Sequence, residues 1–232
     1  MNIDINKLEK EIKDYKANFF SSWNDEKYKW EAVSWFQSHW DIKSPDFTQM
    51  LETSLSKTQN LLGAQHYFPR RMIKNFAMVA PEDVRKMFID LYNEHIPLSD
   101  RIYKFIKESD FILEKYKSTW RNHFQDYRTI STYLWLRYPE RYYIFKPREF
   151  SRVSQILNTS YTFKKGATPN TVLQAYELYN EIKWILQQDT ELKAMLSDVL
   201  TRTPNCDPDL ELTTTTVDLS LIHISEPTRL DV

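Results

Sequence analysis

The stretch Tyr127–Phe150, YRTISTYLWLRYPERYYIFKPREF, decides how this chain folds. Ile130, Tyr133, Leu134 and Tyr138 recur at helical spacing, and Pro139, whose ring and missing N–H oppose a helix, ends the run. Tyr142-Tyr143-Ile144-Phe145 is aromatic and β-branched, the composition of a short buried strand. Lys146-Pro147 closes that strand and puts proline in the first turn of a new helix. Helix, turn, strand and helix are expected in that order, with aromatic and basic side chains interleaved.

Outward from this stretch the pattern is helical. Ile5, Leu8, Ile12, Tyr15 and Phe19 make residues 4–20 an amphipathic helix. A second covers residues 25–40, with Asp25 near its start and Trp30, Val33, Phe36 and Trp40 along one side. The crowding of Trp23, Trp30, Trp35 and Trp40 points to an aromatic core, with base stacking as the rival reading. Asp46–Lys57 is a short helix, followed by an apolar loop in which Gly63 is expected at positive φ. Pro69, Pro81 and Pro97 each begin a helix, and Thr168-Pro169 and Thr190 cap the last two. From Thr203, two prolines and a threonine run predict a loop and then a strand near 211–218. The fold class is mainly α: a multi-helix globular domain over residues 1–202 with a short strand at 142–145. Residues 203–218 are expected to be a linker and the start of a strand.

Apolar residues make up 41 % of the 232 and charged residues 27 %, enough of each for a buried core and a solvated surface. The two glycines, Gly63 and Gly166, are too few and too far apart for a phosphate-cradling loop. The single cysteine, Cys206, excludes an intramolecular disulfide or a thiolate zinc cluster and fits a reducing cytosol. The five histidines lack metal-ligand spacing, and the three E-x-K triplets (from Glu11, Glu181 and Glu191) fall on predicted helices, where they read as solvated faces. No catalytic or metal-ligating residue is assigned, and no cofactor is expected within these residues. The charged N-terminus does not read as a signal peptide and no apolar run is long enough to span a bilayer. A cytoplasmic location with no membrane partner is expected.

Net charge is −1, yet from Tyr127 to Lys165 eight basic residues face two acids, 8 − 2 = +6. Such local concentration suits phosphate contacts. Arg137, Arg141, Lys146, Arg148, Lys164 and Lys165 are the candidates, with Trp135, Tyr142 and Tyr143 as candidate stacking platforms for a base. The rival reading has Arg137 and Arg141 bracing helix ends while the aromatics fill the core. Arg70-Arg71 is a second, smaller basic spot.

Several runs, in order, carry a resemblance: NLL at 60–62, PEDVRKMFIDLYNE at 81–94, LSDRIYKF at 98–105, NHFQDYRTISTYLWLRYPERYYIFK at 122–146 and NCDPDLELTTTTVD at 205–218. Together they resemble the N-terminal region of McrB-like proteins, the AAA+ GTPase subunits of modified-cytosine-dependent (type IV) restriction systems. YLWLRYPERYYIFK is the most specific part, and nearly all of residues 15–218 is covered. The resemblance implies a DNA-recognition or regulatory module in front of a P-loop motor. Its partners would be DNA, modified or not, its own AAA+ domain and a nuclease subunit. GTP or ATP with Mg would belong to the motor, whose Walker and sensor motifs are absent from these residues. Two other classes stay open: a protein-interaction module that docks motor or nuclease without touching nucleic acid, and a stand-alone enzyme. Separately, LSLIHISEPTR at 219–229 resembles the translation of a transposase-based sequencing adapter, so residues 219–232 are expected to be read-through from a frame that continues natively past Asp218.

Overall fold

The computed structural model describes residues 3–63, 66–116, 120–161, 167–204, 206 and 213–219. Among them lie twelve helices and no strand. They are α1 (Ile5–Glu26), α2 (Tyr28–His39), α3 (Phe47–Ser54), α4 (Gln59–Leu62), α5 (Pro69–Val79), α6 (Pro81–Leu91), α7 (Leu98–Lys115), α8 (Tyr127–Arg137), α9 (Pro147–Ile156), α10 (Pro169–Leu186), α11 (Thr190–Arg202) and α12 (Thr213–Asp218). Where one domain over 1–202 is expected, two compact units are found. The first comprises Met1–Glu31 and Tyr138–Val232, the second Ala32–Arg137. The Tyr127–Phe150 stretch is therefore shared between them, α8 in the second and everything from Tyr138 in the first.

In the first unit, α1 begins at Asp4, whose carboxylate accepts from the Lys7 N–H, and buries Leu8, Ile12, Tyr15, Phe19 and Trp23. That stripe follows the 3.6-residue period read in the sequence. Pro147 and Pro169 sit in the first turns of α9 and α10, and Thr168 caps α10 in a reciprocal box with Thr171. The cap of α11 is Asp189 rather than Thr190: its Oδ1 accepts from the Leu192 N–H at 2.9 Å. A carboxylate binds the positive end of the helix better than a hydroxyl does.

Both expected strands are corrected. Tyr142–Phe145 is buried and lies outside any helix, but it packs its aromatics on α10 and pairs with no strand among the described residues. Residues 213–218 form α12, although a Thr/Val run favours strand. Thr215, Thr216, Val217 and Asp218 are all buried there, so tertiary packing overrides local preference.

In the second unit Phe88 of α6 is the aromatic hub, with ring centroids at 5.1 Å from Trp40, 5.2 Å from Tyr133 and 5.3 Å from Phe105. Every residue of α8 from Thr129 to Leu136 is buried, as expected of a helix without a solvent face. Gly63 has φ −150°, which is extended rather than left-handed. A Cβ there would lie a tight 3.0 Å from the Gln59 carbonyl oxygen, so a larger residue needs that turn to give by a few tenths of an ångström. Positive φ falls instead on His66, Phe124 and Asn158.

Candidate functional site

The turn at Tyr138–Arg141 is closed by the Arg141 and Tyr142 N–H groups, both donating to the Tyr138 carbonyl at 3.0 and 3.1 Å. Lys183 of α10 donates to the Glu140 carbonyl at 2.9 Å and fixes this turn to the first unit's core. The residues that follow bury their rings. Tyr143 lies 5.7 Å from Tyr176 and 5.4 Å from Tyr179, and its hydroxyl donates to Asn180 Oδ1 at 2.7 Å. Tyr142 lies 5.9 Å from Tyr176. These contacts correct the stacking expectation. Trp135 and Tyr143 are 0 % exposed and Tyr142 8 %, so none offers a ring face to a base. Aromatic rings in a helical protein reach lower free energy against one another than in water, and α10 supplies that packing for Tyr142 and Tyr143.

The cations beside those rings point outward. Arg141 is exposed, with its Nε 3.4 Å from Glu140; Lys146 is half-buried, 4.0 Å from Glu149. A solvated pair such as Arg141–Glu140 contributes about 0–1 kcal/mol. Phe150 and Val153 anchor α9 in the core, which turns Arg148 and Arg152 to solvent one helical turn apart. Neither has an ion-pair partner among the described residues. Arg152 is not among the candidates that the sequence offers, although its i,i+4 relation to Arg148 marks it. Arg137 is half-buried in the last turn of α8, in the second unit, and its carbonyl accepts from Gln37 Nε2 at 2.8 Å. Lys164 and Lys165 lie outside the described residues.

A second polar cluster is buried in the first unit. Lys29, 1 % exposed, donates to Asp218 Oδ1 at 2.5 Å and to Glu26, and the Tyr15 hydroxyl donates to Asp218 Oδ2 at 2.7 Å. Burial alone would lower the Lys29 pKa, but the Asp218, Tyr28 and Glu26 charges outweigh it and hold it above the ordinary lysine value. Burial first, and then Asp218, push the Tyr15 phenol well above its usual value. Both folded-state values are raised, so the stabilisation is complete below the unfolded values, about 10 for tyrosine and about 10.4 for lysine. It is lost as pH rises from there through the folded values. The urea midpoint is expected to fall between about pH 9 and about pH 11, and to fall less in a Tyr15→Phe variant; a midpoint flat across that range would contradict the assignment.

Burial, with Glu31 adding to it and Lys27 opposing, pushes the Cys206 thiol up to about 12, which disfavours its thiolate form. Among the described residues no three His, Cys, Asp or Glu side chains group to hold a metal, and no helix is long and apolar enough to cross a membrane. No family model, curated protein or solved structure matches the chain.

Proposed function

We propose that the chain is a DNA-facing recognition module of the McrB-like kind, which holds the phosphate backbone through Arg141, Lys146, Arg148 and Arg152. The observation that carries this reading is the outward, one-turn pairing of Arg148 and Arg152 on α9, next to Arg141 and Lys146, in a chain of net charge −1. Four cations on one short segment suit a polyanion, and a sequence-independent one, since the candidate rings Trp135, Tyr142 and Tyr143 are buried. Duplex binding should weaken with salt, log K falling against log [salt] with a slope of about −3 to −4 for four phosphate contacts. Affinity that ignores salt would reject the proposal.

A second reading rests on its own observation. Tyr103 and Phe111 of α7 are 58 % and 57 % exposed, with Lys107 and Lys115 lying 5.7 Å over their rings. Exposed aromatics of this size suit a protein partner. Salt-insensitive capture of a motor or nuclease subunit, abolished by Tyr103→Ala, would favour that module over a DNA-binding one.

A further inference from the structure

Within the second unit, α3 and α5 enclose a cleft of about 320 Å³ lined by Leu51, Glu52, Leu55, Ser56, Arg70, Arg71 and Lys74. Leu51 and Leu55 are buried and close its floor. Arg70 is fixed in place: its Nη1 donates to the Ser56 carbonyl at 3.0 Å and the Leu55 carbonyl at 3.3 Å, and its Nη2 to Gln59 Oε1. Lys74 is paired with Glu52. Arg71 is exposed on the rim and has no ion-pair partner among the described residues. The lining holds three cations against one carboxylate, 3 − 1 = +2.

We propose that this cleft binds a small phosphomonoester. A phosphomonoester carries about −1.5 to −2 charges at neutral pH, which matches the lining, and offers three acceptor oxygens to Arg71, Lys74 and Ser56. A single carboxylate would leave the cleft cationic, as Glu52 already does. The volume lies at the small end of the ligand-pocket range, roughly 300–1,000 Å³, and suits a compact organic body lying along the aliphatic stems of Arg70 and Lys74. Arg70, held by two carbonyls, fixes the direction from which the anion is met. None of this depends on DNA binding by the first unit.

The test is calorimetric titration of the intact chain with phenyl phosphate at about pH 8, where the probe is a dianion. Saturable binding is expected, weakened about tenfold by Arg71→Glu and by Lys74→Gln, and unchanged by Lys10→Glu, a charge reversal on the solvent face of α1. Arg71 is exposed, so its variant keeps the fold, and its melting temperature verifies this. Phenyl sulfate, of the same shape but singly charged, should bind several-fold more weakly. No saturation below about 10 mM, or an equal loss in Lys10→Glu, would overturn the proposal. Binding of a 5′-phosphorylated oligonucleotide without binding of phenyl phosphate would assign the cleft to a strand end and overturn it as a small-molecule site.

Discussion

Replacing Lys29 with alanine should cost the first unit about 3–5 kcal/mol, because it leaves Glu26 and Asp218 facing one another in the core without their shared cation. For a chain of this size that corresponds to a melting temperature lower by about 10 °C. Lys16→Ala is the matched comparison. Lys16 also bridges two carboxylates, Asp189 at 2.8 Å and Glu191 at 2.6 Å, but it does so near the surface, where screening holds its worth to about 1 kcal/mol or less. Burial is what separates the two lysines. Urea denaturation of both variants would show it, and equal effects would mean that water reaches Lys29.

Trp135→Ala should be as damaging to the second unit, at about 3–5 kcal/mol, since the side chain is wholly buried in a helix with no exposed face. Trp135→Phe should cost far less. The indole N–H has no hydrogen-bond partner among the described residues, so removing it abolishes an unsatisfied buried donor while most of the packing stays. Both variants, when folded, should bind DNA as the parent does. A Trp135→Phe variant that melts normally but loses DNA would return the ring to the binding surface.

Most helices were legible because their signals are local. Proline stands in the first turn of α5, α6, α9 and α10, and apolar residues recur at 3–4-residue spacing in α1. What was not legible depends on partners far along the chain. The α12 segment reads as strand from its threonines, and becomes helix in a setting where Asp218 meets Lys29 and Tyr15, 189 and 203 residues away. Tyr142–Phe145 has the composition of a strand, but a strand needs a neighbour, and α10 supplies a helix face instead. The unit boundary after Arg137 crosses a stretch that is uniform in composition, so nothing in residue type announces it. The surface position of the basic residues was readable, since Arg141, Lys146 and Arg148 lie at or near the surface as charged side chains tend to. That of the aromatic residues was not, because Tyr142, Tyr143 and Trp135 satisfy a stacking platform and a core equally well by type.

The separation of a binding rim from an aromatic core is tested most directly with one double variant, Arg141→Glu with Arg148→Glu, followed for duplex affinity against salt and for thermal melting in the same preparation. The melting temperature should stay within a few degrees of the parent, because both side chains are exposed. The salt slope should shrink by about two, one phosphate contact for each cation reversed. An unchanged slope and affinity in a normally melting double variant would contradict the assignment and place any nucleic-acid contact elsewhere on the chain.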